Sequence, residues 1–124
     1  MMTRLAMALV LSAGVVSTAA AEARLDGVWA RGDGNAKVRL EPCGPDVCAV
    51  NTWIKPGTPS EKAGDKLVMS VKPEGNGTFE GTAFDPQRNL NYNISVSVNG
   101  NRMVTKGCVL AGILCKDVSW TRID

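Results

Sequence analysis

The four cysteines are the residues of this sequence whose chemistry is easiest to anticipate. They lie in two close pairs, Cys43 with Cys48 and Cys108 with Cys115. An even number of cysteines at short spacing forms a disulfide framework in an oxidising compartment, whereas reduced cysteines serve as metal ligands or nucleophiles. Which chemistry applies depends on where the protein resides.

The N-terminal segment indicates export. Arg4 precedes an apolar run over residues 5–16, and small residues follow up to Ala21. This order is typical of a secretory signal, with a cleavage site after Ala21 and a second option after Ala23. The apolar run is well short of the roughly 20 residues that cross a bilayer, so we expect no transmembrane span in the mature chain.

Export predicts the organisation of the rest of the chain. We expect residues 1–21 to be a cleaved signal helix, residues 22–124 to form one domain, and the protein to be periplasmic or secreted. The cysteines are then oxidised. Three pairings are possible, and the local one is favoured because each close pair brackets a stretch of turn-forming residues.

Other reactive groups are few. Histidine is absent, which excludes nucleophile–histidine pairs and the commonest transition-metal ligand. Asp33 and Asp85 adjoin glycine or proline, so we interpret them as turn residues rather than as acid–base groups. We therefore expect no enzymatic activity, no metal and no cofactor.

The charges indicate no polyanionic partner. The chain has 14 basic and 12 acidic residues, which are interleaved along the sequence. Such a balance predicts neither nucleic-acid binding nor attraction to an anionic membrane. We expect a mixed, solvated surface.

Apolar residues alternate with polar ones through the mature chain. In the clearest run every second residue from Tyr92 to Val98 is apolar, which is typical of a half-buried antiparallel strand. Asn99-Gly100 then predicts a hairpin with a type I′ turn. The same pattern, interrupted by turn-forming residues, predicts strands at residues 27–31, 36–41, 47–54, 66–72, 78–84, 91–99, 101–109 and 117–123.

Eight antiparallel strands can close into an up-and-down barrel or divide into a two-sheet sandwich. Short hairpin connections, with no long crossover between strands, favour the barrel. We therefore predict an all-β, antiparallel, eight-stranded up-and-down barrel.

Aromatic side chains in the predicted strands are expected to pack in the core, and some of them are candidates for contact with a ligand. A cavity would require small inward-facing residues, and Gly81 and Ala83, on the face of Phe79, are the best candidates. The possible ligand-facing residues are Trp53, Phe79, Gly81, Ala83, Tyr92 and Trp120.

Four motifs occur in a specific order. Gly27-Val28-Trp29 opens the first strand, the cysteine segment 43–48 follows, residues 79–86 precede Tyr92, and Trp120-Thr121-Arg122 comes last. In this order they resemble the exported bacterial family called domain of unknown function 2147, over residues 25–124.

The resemblance implies a lipocalin-like, or calycin-like, barrel without an assigned activity. It also implies that Arg122 covers the Trp29 ring and, together with Gly27, closes one end of the barrel. Residues 55–65 depart from the Asp- and Asn-rich loop of many members, which puts any binding role of that loop in doubt. The second cysteine pair is a feature of only part of the family.

The favoured functional hypothesis is a non-enzymatic binding module, whose partner is a small apolar or amphipathic ligand or an envelope protein. One alternative is an inhibitor-type barrel that acts through loops, with residues 55–65 as its main contact surface. Another is a structural or stress-related envelope protein without a discrete site.

The export hypothesis predicts a new N-terminus. Protein recovered from the periplasm or medium of an expressing bacterium should begin at Glu22, and its intact mass should show no free thiol. An exported chain that retains Met1 would contradict the hypothesis, as would a chain confined to the cytosol.

Overall fold

The computed structural model describes residues 24–124, and the predicted signal at residues 1–21 lies outside the described residues. Eight antiparallel strands form a closed barrel in which each strand pairs with the next and β8 pairs with β1. The predicted all-β up-and-down barrel is confirmed. The strands are β1 (Gly27–Arg31), β2 (Ala36–Cys43), β3 (Asp46–Ile54), β4 (Lys66–Gly75), β5 (Thr78–Asp85), β6 (Leu90–Asn99), β7 (Arg102–Val109) and β8 (Leu114–Arg122).

Both predicted local disulfides are present, Cys43–Cys48 and Cys108–Cys115. The second explains why β8 begins at Leu114, earlier than its sequence pattern predicted. Cys108 and Cys115 lie directly opposite each other in the β7–β8 ladder, and the ladder continues to the pair Val109 and Leu114. The residues between the cysteines are apolar turn residues, so the sequence pattern did not predict this extension of β8.

The β6–β7 turn differs from the predicted type I′ turn. Asn99 pairs with Arg102, so the two turn residues are Gly100 and Asn101. Among these two, only Gly100 has a positive φ, of 63°. Glycine at the first of two turn positions is the pattern of a type II′ turn, so the turn lies one residue later than predicted.

The two ends of the barrel differ, and they are called the closed end and the open end. The closed end holds the two described termini and the β2–β3, β4–β5 and β6–β7 turns. The open end holds the other four connections, at residues 32–35, 55–65, 86–89 and 110–113.

Trp29 fills the closed end. Its side chain is fully buried, and its indole Nε1 donates a hydrogen bond to the Leu25 carbonyl oxygen at 3.0 Å. Arg122 lies over the ring, with its guanidinium carbon 4.3 Å from the ring centroid. The Arg122 guanidinium also donates hydrogen bonds to the carbonyl oxygens of Asp26 and Arg24. One side chain thus joins β8 to the segment that precedes β1.

Gly27 leaves room for this arrangement. Its φ is 136°, and a Cβ atom there would lie 2.6 Å from the Arg122 guanidinium. Any larger residue would therefore displace the arginine from the Trp29 ring.

In residues 24–124 no helix is long and apolar enough to cross a membrane.

Removal of the Arg122 side chain should destabilise the barrel. Arg122→Ala deletes one cation–π contact and two hydrogen bonds to carbonyl oxygens, so we expect the free energy of unfolding to fall by about 1–3 kcal/mol in urea titrations. Arg102→Ala is the matched control, because Arg102 is exposed near the same end, and it should change the free energy by less than about 0.5 kcal/mol. Equal effects of the two variants would contradict the assigned role of Arg122.

Candidate functional site

The barrel encloses a cavity of about 750 Å³ that reaches the open end. Its walls are formed mainly by aliphatic and aromatic side chains from β2, β3, β4, β6, β7 and β8, and its mouth is formed by charged and polar side chains. A volume of this size is typical of sites for small molecules, and so is an apolar lining with a few polar groups at one end.

The cavity exists because large side chains are concentrated at one end of the barrel. Trp29 and its neighbours fill the closed end. The cavity lining includes the small residues Ala49, Thr105 and Gly107. A Cβ atom at Gly107 would lie 2.8 Å from the Tyr92 ring, so glycine at this position lets the tyrosine lie flat against the wall.

Polar groups within the wall are sparse. The indole Nε1 of Trp120 donates a hydrogen bond to the Thr105 hydroxyl at 3.1 Å, which satisfies the indole and presents the ring to the cavity. Burial raises the pKa of the Tyr92 hydroxyl, so this group is a neutral hydrogen-bond donor at physiological pH.

The loop at residues 55–65 is held over the mouth by two arginines. Arg31 donates two hydrogen bonds to the Glu61 carboxylate, at 2.7 and 3.1 Å, and also contacts Asp33. Donation of these hydrogen bonds to Glu61 raises the pKa of Arg31 against the opposing effect of burial. This two-point contact fixes the middle of the loop to the end of β1.

Arg88 holds the same loop from the opposite side. It donates to the Asp85 carboxylate at 2.8 Å and to the Ser60 carbonyl oxygen, and it lies 3.9 Å from Asp65. Partial burial raises the pKa of Asp85, but hydrogen bonds from Arg88 and Gln87 lower it by more, so this pKa lies below its ordinary value. The mouth is thus bordered by paired charges that position the loop.

The structure places two of the six predicted ligand-facing residues, Tyr92 and Trp120, on the cavity wall. Trp53 lies instead on the outer surface, 39% exposed, with the Lys37 ammonium 5.3 Å from its ring centroid. The cause is an irregularity in the β2–β3 ladder, where Lys37 pairs with Trp53 and Val38 pairs with Asn51. The extra residue in β3 reverses the side-chain alternation beyond it.

The other three predicted residues face the interior but do not line the cavity. Phe79 and Ala83 pack in the core, and a Cβ atom at Gly81 would collide with the Ser70 carbonyl oxygen of β4. Gly81 therefore allows β5 to approach β4 closely, and it does not enlarge the cavity. The expectation that Gly81 and Ala83 create the cavity was wrong.

Arg31, Glu61 and Arg88 were missed in the sequence. They are far apart in the chain, and each is an ordinary charged residue of a strand end or a loop. Asp85, interpreted as a turn residue, does accept hydrogen bonds from the backbone N–H groups of Gln87 and Arg88. Within residues 24–124 no group of three or more potential metal ligands is brought together.

Ionised Asp85 should stabilise the barrel at neutral pH. A carboxylate whose pKa is lower in the folded state contributes stability above its unfolded pKa of about 4, and this is lost as the pH falls through the folded pKa. We expect the Asp85 carboxyl carbon to titrate below about pH 3.9 in NMR spectra. Asp85→Asn should reduce the free energy of unfolding at pH 7 by up to about 1 kcal/mol and weaken its loss in acid.

Glu74→Gln provides the control, because Glu74 is an exposed carboxylate at the closed end. This variant should keep the acid dependence of the original protein. An Asp85 titration above about pH 4.5, or an unchanged acid profile of Asp85→Asn, would contradict the assigned pairing.

The family model described as "Uncharacterized protein conserved in bacteria (DUF2147)" matches residues 27–122, which begin with β1 and end with β8. No curated protein matches the chain, and no solved structure matches it. The matched range covers most of the chain and includes both the barrel and its cavity. The chain therefore belongs to domain of unknown function 2147, a family of uncharacterized bacterial proteins.

Proposed function

We propose that this protein is a non-enzymatic binding module of the bacterial envelope that holds a small amphipathic molecule in its barrel. The observation that carries the proposal is the cavity of about 750 Å³, whose wall is largely apolar and whose mouth is charged. An apolar chain would lie along the wall, and a polar headgroup would remain at the open end.

The wall favours hydrocarbon. Burial of aliphatic surface supplies about 25 cal/mol per Å², and the lining offers few groups that would need hydrogen-bonding partners inside. The exceptions are the Tyr92 hydroxyl and the paired Trp120 and Thr105 side chains. A chain of methylene groups is therefore better suited to this cavity than a sugar or a nucleotide.

The mouth favours a headgroup that accepts hydrogen bonds. Lys66, Lys116, Arg31 and Arg88 all border the cavity there. The two arginines are already paired with carboxylates, whereas both lysines are exposed. A carboxylate or phosphate headgroup would meet these ammonium groups without displacing the loop at residues 55–65.

The export part of the proposal rests on the signal-like N-terminus, and the two disulfides are compatible with it.

Filling the cavity should abolish binding. Val118 lines the cavity, whereas Val104 on the neighbouring strand is 43% exposed on the outer wall. Val118→Phe should weaken binding of a fluorescent C16 fatty acid by at least about tenfold, and Val104→Phe should leave it unchanged, because only the first ring occupies ligand space. The measurement is a fluorescence titration, with thermal unfolding of each variant to check that it is folded.

Two results would contradict the proposal. One is the absence of saturable binding of fatty acids, lysophospholipids and hydrophobic dyes to the original protein. The other is undiminished binding by folded Val118→Phe, which would place the ligand outside the cavity.

A further inference from the structure

We propose that the open end of the barrel docks on an anionic lipid bilayer, with the β7–β8 hairpin tip inserted at the boundary between the headgroups and the acyl chains. The tip is defined as residues 109–114, Val-Leu-Ala-Gly-Ile-Leu. The tip adjoins the cavity wall at Val109 and Leu114, whereas Leu110 and Ile113 do not line the cavity.

The tip exposes an unusual amount of aliphatic surface. Leu110 is 68% exposed, Ile113 is 82% exposed and Leu114 is 60% exposed. Turn residues of exposed hairpins are commonly Gly, Asn, Asp or Ser, whose side chains are solvated or bond to the local backbone. Six consecutive residues without a polar side chain at such a position mark an interaction surface.

Two backbone N–H groups of the tip form hydrogen bonds within the turn. The Gly112 N–H donates to the Val109 carbonyl oxygen at 3.2 Å, and the Ile113 N–H donates to the Leu110 carbonyl oxygen at 3.1 Å. Exposed backbone donors are costly in lipid, because the hydrocarbon offers no acceptor. These internal hydrogen bonds reduce that cost for the Gly112 and Ile113 N–H groups.

The tip is also held in shape at a conformational cost. Leu110 and Ala111 have φ values of 54° and 56°, a region in which residues other than glycine are uncommon. The Cys108–Cys115 disulfide joins the two strands at the base of the tip. The hairpin therefore presents its leucine and isoleucine side chains without having to become ordered on contact.

Charge complements the apolar tip. The open end, taken as residues 31–37, 54–66, 85–90 and 109–116, carries seven basic and four acidic side chains. The ion pairs there use Arg31 and Arg88 against all four carboxylates. The remaining basic side chains are exposed, and they are Lys37, Lys55, Lys62, Lys66 and Lys116.

The closed end has the opposite balance. Its residues 24–26, 41–48, 72–80, 99–102 and 122–124 carry four basic and six acidic side chains. The folded protein is therefore polarised along the barrel axis, with five exposed lysines at the end that carries the apolar tip. An anionic surface would attract the open end and repel the closed end.

Vesicle binding tests this proposal with the exported, processed protein. We expect it to co-sediment with vesicles of phosphatidylcholine containing about 30% phosphatidylglycerol, with at least about fivefold weaker binding to pure phosphatidylcholine and progressive loss of binding in salt. Leu110→Asn combined with Ile113→Asn should lower the affinity at least about tenfold, because two inserting side chains become polar.

A matched double variant controls for general loss of surface apolarity. Val104 and Ile123 are 43% and 48% exposed, away from the tip, and their replacement by asparagine should leave vesicle binding unchanged. If the tip variant proves unstable, Ile113→Trp gives a second measurement. The fluorescence that this variant gains over the original protein, which already contains Trp29, Trp53 and Trp120, should be quenched by lipids brominated in the upper part of the acyl chain.

Several outcomes would overturn the proposal. They are equal binding to neutral and anionic vesicles, equal loss in the two double variants, and an unquenched tryptophan at position 113. Cross-linking of the tip to an envelope protein without any vesicle binding would likewise replace the bilayer by a protein partner. Leu110 and Ile113 do not line the cavity, so fatty-acid binding in solution reports on the proposed function independently of this result.

Discussion

Closure of the sheet at the β1–β8 seam is the constraint on which the rest of the structure depends. The two strands share only the pairs Trp29 with Arg122, Ala30 with Thr121 and Arg31 with Trp120. The large side chains at this short seam serve different ends of the barrel. Trp29 fills the closed end beneath Arg122, whereas Arg31 reaches the loop over the mouth. The β1–β8 pairing therefore positions both the side chain that fills the closed end and the side chain that holds the loop at the open end.

This asymmetry is what turns a small barrel into a candidate binding protein. An eight-stranded barrel is only just wide enough to be filled by its own side chains or to hold one small ligand. Trp29 fills the closed end, and the lining of the cavity includes small residues such as Ala49 and Gly107. The same end carries the lysines and the apolar β7–β8 tip, so the cavity opens toward the face proposed to meet lipid. A ligand exchanged there would avoid crossing bulk water.

Local patterns predicted the fold well because alternation and turn chemistry are local properties. Residues 91–99 illustrate this, since Ile94, Val96 and Val98 are all buried as the alternation required. Predictions failed where one residue changes the register. The extra residue in β3 turned Trp53 outward, and the β6–β7 turn moved by one position. The extra residue in β3 has no signal in the residues immediately around it, whereas Gly100-Asn101 is itself a type II′ pattern that overlaps the Asn99-Gly100 pattern.

Properties that depend on which strands become neighbours were even harder to predict from the sequence. The interleaved charges predicted a mixed surface, but alternate connections of a meander lie at opposite ends of the barrel. The acidic residues Glu41, Asp46 and Glu74 consequently lie toward one end, and lysines 55, 62 and 66 toward the other. Likewise, Gly81 was expected to open a cavity, but its absent side chain accommodates the backbone of β4.

An NMR titration with a C16 fatty acid tests the central claim most directly, because it locates the ligand as well as detecting it. The claim predicts saturable shifts of residues on the cavity wall, including Tyr92, Thr105 and Val118, and little change at Val104 and Trp53 on the outer wall. Shifts confined to the outer wall, or the absence of saturable shifts, would contradict the claim that the barrel interior is the binding site.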